Sequence, residues 1–121
     1  MANKILCIED DNTIFEVIKS TLSDYSVMQA DTLQEASQLW EIHSFQLLVM
    51  DILLPDGDAL TWYQDFRSRR DIKSVPLIVL SGQADISRKT HAFSLGAEDF
   101  IGKPFDPLEF KIRALSKIKK F

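Results

Sequence analysis

The chain has 121 residues, 45% hydrophobic and 26% charged, with 14 Lys and Arg against 18 Asp and Glu for a formal net charge of -4. That is the length of one domain (residues 1–121) with one sizeable core, and the acidic balance excludes the broad basic footprint of a protein built to hold nucleic acid. No run approaches the ~18 apolar residues of a membrane span, the N-terminus lacks a signal-peptide apolar region, and the lone Cys7 reads as a buried thiol, so a soluble cytoplasmic protein is expected.

In chain order, Lys4–Ile8 is a short apolar run that ends in Glu9-Asp10-Asp11, so a first strand delivers carboxylates at its carboxyl end. Asp11 or Asn12 can cap the next helix, whose apolar positions Ile14, Val17, Ile18 and Leu22 have helical spacing. Tyr25–Ala30 reads as a second strand with the alternation of an edge position. Asp31 or Thr32 caps a second helix with Leu33, Ala36, Leu39 and Trp40 on one side.

Leu47-Leu48-Val49-Met50 is an unbroken apolar run that leads straight into Asp51, the pattern of a strand buried on both faces of a parallel sheet. A carboxylate at the end of such a strand is costly unless something there uses it. After the Pro55–Gly57 turn, Ala59, Leu60, Tyr63 and Phe66 mark a third helix. Pro76–Ser81 is the fourth strand, with Pro tolerated at its first position. A fourth helix over about residues 85–95 takes its apolar side from Ile86, Ala92 and Phe93 and ends at Gly96. Asp99–Gly102 is the fifth strand. Asp106 caps the last helix, with Pro107 in its first turn and Leu108, Ile112, Leu115 and Ile118 expected to face the core.

Five alternations of strand and helix with short connections imply right-handed βαβ units: a doubly wound (βα)5, flavodoxin-like α/β sandwich of three layers. A sheet order of 2-1-3-4-5 places the topological switch between strands 1 and 3, where ligands bind outside the carboxyl ends. That edge collects Glu9 and Asp10, Asp51, Ser81 and Lys103. Singly, each has an ordinary structural explanation: acids at a helix N-terminus, a turn serine, a solvated lysine. Jointly they form a site.

The chemistry narrows the ligand. Two like charges ~4 Å apart repel by ~4 kcal/mol at an effective dielectric of about 20, so three clustered carboxylates need a cation or shifted protonation. An all-oxygen donor set suits Mg²⁺, and Mn²⁺ is an acceptable substitute. His43 and His91 lie on helices away from these loops, which argues against zinc. A lysine, a hydroxyl and Mg²⁺ neutralise the oxygens of a phosphoryl group in transfer, and a carboxylate beside them is a candidate nucleophile forming an acyl phosphate.

At this point the text of the chain resembles a known family over essentially its whole length: the receiver domains of bacterial two-component response regulators. The matching stretches are Lys4-Ile5-Leu6-Cys7-Ile8-Glu9-Asp10-Asp11, Leu48–Pro55, Leu80-Ser81-Gly82 and Gly96–Phe105. The resemblance implies that Asp51 is the phosphoacceptor, served by a sensor histidine kinase or a phosphotransfer protein. It implies that Asp10 and Asp51 ligate Mg²⁺ directly, Glu9 mainly through water, and the backbone carbonyl of Leu53 completes the protein ligands. Ser81 corresponds to the switch hydroxyl, Lys103 to the lysine that contacts the phosphoryl group, and Phe100 to the aromatic switch; a cis Lys103–Pro104 bond is also implied. Leu53 and Gln83 occupy positions that tune phosphoryl lifetime. Three departures from the family text are modest: Ser81 for the commoner threonine, Gly82 for alanine, and Ala59 where glycine is frequent.

The same resemblance implies an output domain or downstream protein read through helix 4, strand 5 and helix 5, with no direct contact to nucleic acid or membrane. Lys111, Arg113, Lys117, Lys119 and Lys120 crowd the last helix and read as cations complementing its C-terminus. Glu98, Asp99 and Arg113 leave a homodimer across that face open. Two rivals stand beside the switch: an Mg²⁺-dependent aspartyl-phosphate phosphohydrolase and a phosphorylation-independent binding module. Against the first, Glu9-Asp10-Asp11-Asn12-Thr13 carries glutamate where such hydrolases carry their nucleophile.

Overall fold

The computed structural model describes residues 3–82 and 87–118. Its elements are β1 (Lys4–Ile8), α1 (Asn12–Thr21), β2 (Ser26–Ala30), α2 (Leu33–Ile42), β3 (Leu47–Asp51), the short β4 (Leu53–Leu54) and β5 (Gly57–Asp58), α3 (Ala59–Arg69), β6 (Leu77–Ser81), α4 (Lys89–Ser94), β7 (Asp99–Gly102) and α5 (Pro107–Lys117). Five strands form one sheet in the order β2-β1-β3-β6-β7, all pairs parallel. The predicted order is therefore met, with β6 and β7 as the fourth and fifth predicted strands. The β4–β5 ribbon is a small antiparallel hairpin where the sequence suggests only a plain turn.

Period-2 alternation divides the core into two layers. Leu6 and Ile8 of β1, Leu48 and Met50 of β3, and Leu77 and Val79 of β6 face the α2, α3 and α4 side. Ile5, Cys7, Leu47, Val49, Ile78 and Leu80 face α1 and α5. Every residue of β3 is buried, as a central parallel strand requires. Burying each such apolar side chain contributes ~1.5–3 kcal/mol, so β3, like the equally buried β6 beside it, is firmly anchored in the sheet.

The entries of α1, α2, α3 and α5 are fixed by carboxylate and hydroxyl caps. Asp11 accepts from Thr13 N at 2.9 Å and Ile14 N at 3.1 Å, Thr32 from Glu35 N at 3.0 Å, Asp58 from Leu60 N at 2.9 Å, and Asp106 from Leu108 N at 2.8 Å. Pro107 occupies the first turn of α5, and Gly96, at φ +108, lies just past the end of α4. Within α1, Phe15 joins Ile18 and Leu22 in the core, whereas Ile14 and Val17 are only half-buried.

Two expectations are corrected. Leu108 and Ile112 do not face the core: they are 65% and 62% exposed, and Leu115 is half-buried. Phe110, Ala114 and Ile118 are the inward residues. Both stripes have helical spacing, so periodicity alone does not choose between them. The register is set by the Asp106 cap and by Phe105, whose ring stacks on Phe110 with centroids 4.9 Å apart. Second, α4 is shorter than expected; Ala92 is buried, but Phe93 is 41% exposed, its ring 6.4 Å from that of the core residue Phe100. The expected apolar contribution of Ile86, and the helix start near residue 85, lie outside the described residues, as do Lys119 and Lys120.

Candidate functional site

The strand register places the predicted residues on one rim. Ile8 lies level with Met50, so Glu9 comes next beside Asp51; Asp51 lies level with Leu80, and Ser81 level with Gly102. Asp51 is the last residue of β3 and is buried. One of its carboxylate oxygens, Oδ1, accepts from the backbone N–H of Ile52 at 2.8 Å, and Oδ2 accepts from Lys103 Nζ at 3.0 Å. Lys103 Nζ also donates to Glu9 Oε1 at 3.3 Å, while Glu9 Oε2 accepts from Asp11 N at 3.1 Å. Glu9 is only 1% exposed. Asp10, the residue after it, is exposed.

Glu9, Asp10 and Asp51 each present a ligand oxygen, and these oxygens lie within 4.8 Å of one another. Lys103 pairs with two of these three carboxylates, Glu9 and Asp51. Burial, then the nearby Asp51 charge, pushes the Glu9 carboxyl up to about 7. Burial works against the Lys103 ammonium, but its contacts with Asp51 and Glu9 prevail and hold its pKa above the usual lysine value. Burial pushes the Cys7 thiol far up, with Glu9 and Asp51 adding to it, so Cys7 is a core thiol and not a nucleophile. A buried, all-oxygen cluster with more negative than positive charge fits a hard divalent cation.

The remaining predicted residues take their places around this pocket. Ser81 is buried at the end of β6, and its backbone carbonyl accepts from Lys103 N at 2.7 Å. That bond ties the serine segment to the lysine segment. The Lys103–Pro104 peptide bond is cis. Phe100 is buried, its ring 6.4 Å from that of Phe93. Leu53, in β4 opposite Asp58, has a 58% exposed side chain at the rim. Gln83 lies outside the described residues.

Three residues around the site have no signal in the sequence. Gln29 of β2 donates to the carbonyl of Glu9 and to the Asn12 side chain, both at 2.9 Å. Asp58, besides capping α3, forms a two-point ion pair with Arg88, one arm of which is 2.9 Å. Arg88 precedes α4, so this pair joins the start of α3 to the start of α4. Only the fold brings these partners together; their separations of 17 to 30 residues leave no local pattern.

On the other side of β7, Asp99 is bound within the chain. It accepts from Arg113 Nε at 2.9 Å and lies 4.0 Å from Lys117 Nζ. The charge of Asp99 is thus paired within the chain by helix α5. Among the described residues no helix is long and apolar enough to cross a membrane.

Comparisons with known proteins agree with this geometry. The family model "Response regulator receiver domain" matches residues 5–114. A curated relative from Cyanidium caldarium, "Probable transcriptional regulator ycf27", is 32% identical over 118 residues, covering 96% of this chain and 46% of that protein. The chain spans about half the length, or less, of the curated relatives it matches. Among solved structures, the non-phosphorylated HemR receiver domain from Leptospira biflexa superposes with a TM-score of 0.85 at 35% identity, covering 98% of this chain and 95% of that one. A CheY-like response regulator receiver domain protein from Methanospirillum hungatei also gives 0.85, at 26% identity, over 97% and 94% of the two chains.

Proposed function

This chain belongs to the response regulator receiver domain family, and from that membership and the acid pocket we propose that Asp51 is the phosphoacceptor of a two-component signalling switch. The observation that carries the reading is the placement of Asp51: a carboxylate at the end of a wholly buried strand, 3.0 Å from an ammonium and beside a second buried acid. The donor is a phosphohistidine on a sensor kinase or phosphotransfer protein. An Asp51 oxygen attacks phosphorus as the N–P bond breaks; the departing imidazole nitrogen takes up a proton, and the product is an acyl phosphate on Asp51.

Asp51 Oδ2, the oxygen turned to Lys103, is the one placed to attack. Lys103 orients it beforehand and can then track the charge onto the transferred oxygens. Oδ1, held by the Ile52 N–H, keeps the carboxylate from rotating during transfer. Asp10 and Asp51 directly, Glu9 through water and the Leu53 carbonyl are the groups that would hold Mg²⁺ or Mn²⁺. When bound, that cation neutralises charge on the phosphoryl oxygens. Ser81, buried at the neighbouring strand end, supplies a hydroxyl to the new group. Phe100, on the strand joined to Ser81 through Gly102, carries the change to the α4-β7-α5 face. There an output domain, a downstream protein or a second copy reads it, in the cytoplasm. Leu53 and Gln83 tune how long the acyl phosphate lasts.

The test is intact-protein mass after incubation with acetyl phosphate and Mg²⁺. One added phosphoryl group on the wild type, absent in Asp51→Asn, is the expected result. An unchanged wild-type mass with both acetyl phosphate and a phosphorylated kinase would overturn the reading, and repeated turnover of a phosphomonoester would replace it with a hydrolase.

A further inference from the structure

The turn between β1 and α1 carries two of the three acids, and a side chain from the neighbouring strand braces it. Gln29 lies level with Cys7 in the β1–β2 register, two residues before the acid turn begins. Its carboxamide Nε2 donates both its hydrogens: to the backbone carbonyl of Glu9 and to Asn12 Oδ1, each at 2.9 Å. The two acceptors bracket Asp10 and Asp11. From the other direction the turn is held by Glu9 N on the Ala30 carbonyl at 3.0 Å and by Asp11 N on Glu9 Oε2 at 3.1 Å.

We propose that Gln29 is a positioning residue for the cation site, fixing the Glu9–Asn12 turn so that the carboxylates of Glu9 and Asp10 are already convergent before a divalent cation arrives. This inference rests on the reading of Glu9, Asp10 and Asp51 as that site. The acids repel one another, and Asp10 is exposed, so without a brace the turn relaxes outward when no cation is present. A turn that has relaxed must be reordered at the moment of binding, and that reordering is subtracted from affinity. Both partners of Gln29 are carbonyl oxygens, so the brace needs a group with two N–H donors at this reach, which the glutamine amide supplies. An apolar residue of similar length, as in Gln29→Met, keeps the strand while removing both donors.

The experiment uses the whole chain. Mg²⁺ affinity is measured by titrating backbone amide shifts at residues 9–12, and labelling by acetyl phosphate is measured as a function of Mg²⁺. For Gln29→Met the dissociation constant for Mg²⁺ rises about tenfold, the size usual for losing an outer partner of a metal ligand. The Mg²⁺ concentration for half-maximal labelling rises with it, while the labelling rate at saturating Mg²⁺ stays at the wild-type value. Asn12→Ala, which removes one acceptor from an exposed side chain, shifts affinity the same way by about threefold, the worth of one hydrogen bond, and decides the matter should Gln29→Met fail to fold. Unchanged Mg²⁺ affinity in the folded variants, or a lower saturated rate with unchanged Mg²⁺ dependence, would overturn the proposal. Failure of the wild type itself to bind Mg²⁺ would instead overturn the reading of the site.

Discussion

Two places on the carboxyl edge of the sheet use charge in opposite ways. Around β1 and β3, Glu9 and Asp51 share one ammonium with a third acid, Asp10, close by, and burial together with Asp51 raises the Glu9 carboxyl to about 7. At the start of α4, Asp58 meets Arg88 one to one, and the guanidinium holds the Asp58 carboxyl below its usual value despite partial burial. The pair fastens the start of α4. Among the described residues no side chain caps its first turn, Ala92 is its buried residue, and its far end is held by Arg67 donating to the Leu95 carbonyl at 2.6 Å. Matched charge fastens an element. Mismatched, buried charge is a cost to the fold, and a cluster that carries it suits a ligand that neutralises it.

The largest test of this contrast removes the single cation from the mismatched side. Lys103→Met is expected to slow labelling by acetyl phosphate by about 10²-fold, the usual cost of deleting one preorganised donor at developing charge, as read from intact-mass time courses. A rate within about twofold of wild type would mean that Lys103 serves the resting acids and not the transfer.

Next in size is the removal of one acid. In metal-free buffer Glu9→Gln should stabilise the protein by roughly 3 kcal/mol at pH 8 in urea unfolding. The sign comes from linkage. The native carboxyl titrates near 7, above its ordinary value of 4.5, so the native state holds the proton more tightly across that interval. Stability therefore falls as pH rises through it, and the advantage of Glu9→Gln should vanish near pH 4. On the matched side the same kind of change carries the opposite sign: Asp58→Asn keeps the cap but loses the ion pair, at a cost of about 1 kcal/mol. Equal signs for the two substitutions would erase the distinction.

The smallest effect is on α4 alone. Arg88→Ala should cost under about 1 kcal/mol globally, because the pair is partly solvated. Amide exchange should nevertheless quicken in Lys89–Ser94 while β3 stays protected. Uniform acceleration across the sheet would show that α4 is not held separately.

The outline of this fold was legible because its strongest signals are local. Apolar runs ending in Glu9, Asp51 and Ser81, and the caps at Asp11, Thr32 and Asp106, mark elements without knowledge of their neighbours. The central acids and lysine were legible for a related reason: parallel strands place their carboxyl ends at one edge, so the residues at the end of each strand are the residues of the pocket. Features that depend on distant partners failed to show. Leu108 and Ile112 have the same helical spacing as Phe110 and Ala114, and only packing against the sheet tells the two stripes apart. Phe93 reads as core until the shortness of α4 is known. Gln29, Asp58 and Arg88 look like ordinary surface residues because their partners lie far along the chain.

The most direct test of the central claim is the location of the acyl phosphate. After labelling with acetyl phosphate and Mg²⁺, borohydride reduction and then peptide mass mapping mark the carboxyl group that accepted the phosphoryl group. The mark is expected at Asp51, the acid whose Oδ2 sits 3.0 Å from Lys103, with Glu9 and Asp10 unmodified. A mark at Glu9 or Asp10, or labelling that persists in Asp51→Asn, would contradict it.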